Sequence, residues 1–86
     1  MNQKEFLKPI IAKTLKGLRE KQRMSQEDLA GACKVDRAYI SMIEVGKYEP
    51  SMTKIFELCS ALKIKPSHFV QLLENEIEKL NPKGRE

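Results

Sequence analysis

The sequence has no tryptophan, one histidine, two cysteines and only 6% aromatic residues among its 86 positions. Each shortage closes off a class of protein. His68 stands alone, and Cys33 and Cys59 lie far apart and outside any Cys-x-x-Cys spacing, so the usual zinc ligand sets cannot be assembled. No metal and no cofactor is expected. No nucleophile paired with a base is discernible, and no glycine-rich phosphate loop, so the chain does not read as an enzyme; His68 reads as a surface or interface residue. Apolar runs fall well short of the roughly 18 residues of a membrane span, and no secretory leader pattern is seen. The expected setting is the reducing cytoplasm, with no membrane partner and both cysteines as small core residues. A chain of 86 residues holds one modest core, so a single domain over 1–86 is expected, with no separate ligand-binding unit and no small-molecule ligand.

What is present points to helices. Hydrophobic residues make up 41% of the chain, and with so few aromatics the core must be filled by Leu, Ile, Val, Met and Ala. The formal net charge is +4, unevenly spread. Residues 1–23 carry seven Lys/Arg against two Asp/Glu, residues 24–50 three against five, and residues 51–86 six against five. The excess gathers at Lys13, Lys16, Arg19, Lys21 and Arg23. By itself a charge run of this kind reads first as a solvated helix face, while the basic bias permits nucleic acid or an anionic membrane surface as a partner.

Caps and periodicity predict five helices, an all-α chain. The first spans residues 9–22, with Pro9 in its first turn and Ile11, Leu15 and Leu18 inward; Phe6 and Leu7 can add a turn before it. The second spans 26–33, opened by a capping box of Ser25 and Asp28, with Leu29, Ala30 and Cys33 inward. The third spans 37–45, with Asp36 as N-cap, Ile40 and Ile43 inward, and Gly46 as a left-handed stop. The fourth spans 52–62 after Ser51, with Met52, Ile55, Phe56, Cys59 and Leu62 at spacings of three and four. The fifth begins at Pro66 or Ser67 and runs at least to Leu73, its apolar pattern of Phe69, Leu72, Leu73, Ile77 and Leu80 continuing further. The tail 81–86, with Pro82 and Gly84, is expected to fray.

The second and third helices are separated only by Lys34-Val35-Asp36, the spacing of a helix-turn-helix. The small residues Ala30 and Cys33 admit a close second helix, and Val35 and Ile40 cover the corner. The outer face of the third helix then presents Arg37, Ala38, Ser41 and Met42.

The stretch MSQEDLAGACKVDRAYISMIEVGKYEPSMTKIFELCSALKIKPSHF resembles the lambda-repressor-like helix-turn-helix domain, also called the Cro or XRE type. The likeness covers about residues 10–73, leaving 74–86 as a helical extension and tail. Within it, DRAYIS further resembles the controller proteins of restriction–modification systems. The resemblance implies a five-helix fold and binding to double-stranded DNA. It implies that Gln26 contacts a phosphate and braces the recognition helix, that Arg37 and Ala38 read base edges, and that Ser41 and Met42 face the same groove one turn later. It also implies a structural ion pair of Arg19 with Glu44. Where many members carry Gly, this chain carries Lys34; a left-handed backbone there costs a non-glycine residue roughly 1 kcal/mol.

Chemistry supports these roles. An Arg at the start of a recognition helix can donate two parallel bonds to guanine, and Ala38 is small enough for close approach. Tyr39 either reaches a phosphate with its hydroxyl or packs its ring on the turn; Met42 either enters the groove or covers surface. The third helix is not basic, so phosphate attraction must come from around it: Lys34, Lys47 and Lys54, with Arg23, Tyr48 and Thr53 as further candidates.

A single recognition helix reads few base pairs, and helix-turn-helix proteins usually pair on two half-sites. A homodimer is therefore expected, joined through Phe69, Leu73, Ile77 and Leu80 with Ile64 nearby. In the alternative, Ile77 and Leu80 fold back over Phe6 or Leu7. The reading is a sequence-specific regulator on a two-fold symmetric operator, autoregulatory or controller-like. Its rivals are an antitoxin that binds both operator and a partner protein, and a module that keeps the fold without binding DNA.

Overall fold

One residue in each of the four connections of this chain lies in the left-handed region: Arg23, Lys34, Gly46 and Lys63, with φ of 59°, 58°, 81° and 60°. They divide it into α1 (Gln3–Lys21), α2 (Gln26–Cys33), α3 (Arg37–Glu44), α4 (Met52–Leu62) and α5 (Pro66–Leu80), with no strand among the described residues. The computed structural model describes residues 3–80, with side chains from Phe6 onward; the tail expected to fray lies outside them. Lys34 and Lys63 close α2 and α4 with bifurcated backbone bonds from their N–H groups to Ala30 and Gly31, and to Cys59 and Ser60. Such turns favour glycine, so each lysine carries roughly 1 kcal/mol of backbone strain.

The ends of the helices follow from local chemistry. Ser25 Oγ accepts from the Asp28 N–H at 2.9 Å, and Asp28 Oδ2 accepts from the Ser25 N–H at 2.9 Å, a complete capping box. Those bonds hold the Asp28 carboxyl below its ordinary value, the Ser25 backbone N–H contributing most. Ser51 caps α4 through the Lys54 N–H at 3.1 Å. Asp36 has the extended backbone of an N-cap but makes no side-chain cap bond, contrary to expectation.

Each helix sends a wholly buried side chain into one core. Leu15, Leu29, Ile40, Ile43 and Leu62 are 0% exposed, and Phe69 of α5 is 1% exposed. Cys59 is also buried, and both cysteines are free thiols whose pKa burial pushes up. Gln22 Nε2 donates to the Leu62 carbonyl, tying the end of α1 to the end of α4.

Two expectations fail here. Pro9 does not open α1; the helix starts at Gln3 and Pro9 lies inside it. An internal proline removes one helical hydrogen bond and typically costs about 3 kcal/mol. Burial of Ile10, Ile11, Ala12 and Leu15 on either side of the following turn opposes that cost. Met52 and Phe56 do not enter the core; they are 65% and 55% exposed. The inward face of α4 is Ile55, Leu58, Cys59 and Leu62, and the other two sit on its flank, where a repeat of three and four also places them.

α5 runs back along α1. Lys13 Nζ lies 3.0 Å from Glu76 Oε1, and an open groove between the helices is lined by Lys13, Gly17 and Lys21 on one side and His68, Leu72 and Glu76 on the other. With Lys13 opposite Glu76, the N-terminal turns of α1 lie opposite the C-terminal turns of α5. Phe6, Leu7 and Ile77 are each half-buried.

Candidate nucleic-acid interface

α2 and α3 meet as the small residues between them require. Ala30 is 3% exposed, Val35 and Cys33 are half-buried, and the Val35 N–H returns to the Ala30 carbonyl at 3.0 Å. Ile40 and Ile43 anchor α3 from within. The residues left outside are Arg37, Ala38, Met42 and Val45, with Ser41 half-buried among them. They fall on one side of the helix at successive turns. Val45, 62% exposed, joins this face, a role the sequence reading did not assign to it. Its spacing of eight from Arg37 and four from Ser41 is the signal that places it on this face.

Behind that face lies a continuous polar chain. Arg19 is 8% exposed. Its Nε donates to Glu44 Oε2 at 2.7 Å, its Nη2 to Glu44 Oε1 at 2.9 Å, and its Nη1 to the Met24 carbonyl at 2.7 Å. The paired bonds to Glu44 hold the guanidinium pKa above its ordinary value despite burial. Gln26 Nε2 donates to Glu44 Oε1 at 3.0 Å, and Arg37 Nη1 donates to Gln26 Oε1 at 3.1 Å. Arg19 is thus removed from the basic surface cluster, and Lys13 is engaged with α5; Lys16, Lys21 and Arg23 remain exposed.

The basic residues around α3 differ in availability. Lys34 and Lys47 are exposed. Lys54 is half-buried and lies 3.0 Å from Glu57, so it would have to leave that pair to reach a phosphate. Tyr39 does not present its hydroxyl: the oxygen is buried with no hydrogen-bond partner. Its ring packs edge-on against Tyr48, with centroids 5.3 Å apart. Desolvation chiefly, then Tyr48, Glu57 and Cys33, raise the Tyr39 pKa. Its conformation keeps the hydroxyl inside and sets the ring on Tyr48, in the loop after α3.

The expected dimer residues are also sorted by burial. Phe69 is 1% exposed and fills the core of the chain itself, which leaves almost none of it on the surface. Leu73 is half-buried against that core, Ile77 is half-buried, and Leu80 is 65% exposed. Met52, Phe56 and Val70, the last 42% exposed, were not foreseen as available apolar surface. No group of His, Cys, Asp or Glu suited to a metal occurs among the described residues, and no helix among them is long and apolar enough to cross a membrane.

The chain matches the family model described as helix-turn-helix over residues 15–69. Among solved structures it is similar to the wild-type restriction–modification controller protein C.Esp1396I, with 31% identity over 86% of this chain and 96% of that one and a TM-score of 0.81. A tetramer of that protein in complex with its natural 35 base-pair operator matches with 30% identity, covering 84% of this chain and 95% of the other, at a TM-score of 0.78. The controller protein C.AhdI from Aeromonas hydrophila matches with 33% identity over 71% of this chain and 92% of its own, at a TM-score of 0.68. No curated protein sequence matches the chain.

Proposed function

Because the chain belongs to the helix-turn-helix family, we propose that it is a sequence-specific DNA-binding regulator of the restriction–modification controller kind, acting in the cytoplasm as a homodimer on a two-fold symmetric operator. The observation that carries this reading is the outer face of α3. It is a mixed face of Arg37, Ala38, Ser41, Met42 and Val45, exposed or half-buried, on a helix whose other side is locked into the core. Such a face offers a guanidinium for guanine, a hydroxyl, and small or flexible apolar groups for thymine methyls. Lys34 and Lys47 flank it and would contact phosphates, as would the Gln26 amide; Lys54 would join them on release from Glu57.

The dimer reading now rests on α4 and α5. Cys33 Sγ, 3.9 Å from the Glu57 carbonyl, places α2 on one flank of α4, and Glu76 places α1 on one flank of α5. Met52 and Phe56 project from a different flank of α4. Val70, Leu73 and Ile77, spaced three and four apart, form a stripe turned away from the α1 groove. A second copy is the occupant that suits them, since a two-fold interface joins one patch to itself and sets two recognition helices on one side.

Selection from randomised duplex DNA at about 150 mM salt tests the function. A two-fold symmetric site should emerge. No enrichment over background would overturn the DNA-binding reading. Sedimentation in the micromolar range tests the dimer: Phe56→Lys should shift wild-type dimer to monomer, and a wild-type monomer at every concentration, with and without the selected duplex, would overturn it.

A further inference from the structure

We propose that Glu44 is a positioning residue for base recognition, acting through Gln26 on Arg37. The inference rests on the base-reading role proposed for Arg37 and concerns what holds that side chain in place. Arg37 is the first residue of α3, and α3 has no acidic residue in its first turn and no side-chain cap bond from Asp36. A cation at this end of a helix is repelled by the helix dipole, and a long, exposed side chain is otherwise free to move among rotamers. Nothing within α3 fixes it. The anchor comes from α2: Gln26 Oε1 accepts from Arg37 Nη1 at 3.1 Å.

The Gln26 amide is itself directional. Its two ends differ, and only its oxygen can accept from an arginine. What decides which way it faces is Glu44 Oε1, which accepts from Gln26 Nε2 at 3.0 Å and so turns the amide oxygen toward Arg37. Glu44 is in turn immobilised by the bidentate Arg19. The Glu44 side chain is 3% exposed, so water does not offer it alternative partners. The chain Arg19, Glu44, Gln26, Arg37 therefore passes rigidity from a buried ion pair to an exposed guanidinium. One Nη1 hydrogen of Arg37 is used in the clamp; the remaining donors of its planar fork stay available to a base edge.

A merely structural ion pair would affect binding to all sequences alike. The positioning role is read at one position only: the base pair whose preference Arg37→Ala abolishes in the selected site. Gln26→Met keeps side-chain length, removes both amide ends and leaves the buried pair intact. It should lower discrimination at that base pair roughly three- to tenfold, the scale of holding one rotamer-rich side chain in place, while discrimination at the other positions is unchanged. Glu44→Gln, where it remains folded by circular dichroism, should do the same, and neither change should alter discrimination further when Arg37 is already alanine. Unchanged discrimination at that base pair in Gln26→Met, with affinity reduced equally for all duplexes, would overturn the proposal and leave the DNA-binding reading standing. Failure of wild type to enrich any site would instead remove the reading on which it rests.

Discussion

α3 and α5 solve the same packing problem with opposite outer surfaces. Each sends fully buried side chains into the core, Ile40 and Ile43 from α3 and Phe69 from α5. The outside of α3 combines a guanidinium, a hydroxyl and small or flexible apolar groups, and its leading residue is tethered by a hydrogen bond to α2. The outside of α5 is apolar at the exposed Val70 and Leu80, with Leu73 and Ile77 half-buried beside them, and Met52 and Phe56 extend the same character on α4. A polar, held face suits a ligand whose edges differ from one base pair to the next. An apolar face suits a partner of fixed shape, such as a second copy.

The largest expected effect breaks the support of the polar side. Glu44→Ala leaves a buried guanidinium without its carboxylate and should cost about 3–5 kcal/mol in urea unfolding; replacing Arg19 and Glu44 together with Met and Leu should recover most of it. Next come the two phenylalanines, which share a chemistry and differ in place. Phe69→Ala should cost about 3–5 kcal/mol of stability. Phe56→Ala should change the stability of the monomer by no more than about 0.5 kcal/mol, as for a surface change, and weaken self-association in sedimentation. Equal losses from both would erase the distinction between core and interface.

A smaller effect concerns the turn that joins the halves of the motif. Lys34→Gly relieves a left-handed lysine and should stabilise the fold by up to about 1 kcal/mol, read as a rise in Tm, while weakening DNA binding evenly across sequences. The smallest is acidic. The Asp28 carboxyl lies below its ordinary value of 3.8 in the folded chain. The capping box is therefore at full strength above 3.8, and its contribution is lost as pH falls through the lower folded value. Asp28→Asn should lower stability slightly near neutral pH, leave it nearly unchanged at the acid end, and so flatten that part of the unfolding curve.

The same contrast explains what was legible beforehand. α2, the turn and α3 are written in short-range signals: Ser25 with Asp28, the three-residue turn, Gly46 after α3. Those interactions span a few residues, so their spacing in sequence is their spacing in space. The outer residues of α3 follow from the inner ones by helical phase. Met52 and Phe56 were misplaced, and Phe69 was assigned outward, because an apolar repeat marks an arc and does not say which part of it meets the chain's own core. On α4 and α5 that arc is wider than the core it covers. Pro9 misled for a related reason: its local preference for a first turn was overridden by tertiary packing along α1. The orientation of Gln26 and the buried hydroxyl of Tyr39 depend on residues from other helices, which no local pattern encodes.

The most direct test measures binding of the selected duplex by fluorescence anisotropy, alongside single base-pair variants of it, for wild type, Arg37→Ala and Phe56→Lys. The expected result is separation. Arg37→Ala loses discrimination at matching positions of both half-sites, and Phe56→Lys keeps discrimination within a half-site but loses the preference for two half-sites over one. Full discrimination retained by Arg37→Ala at every position would contradict the account, because the outer face of α3 would then not be where the sequence is read.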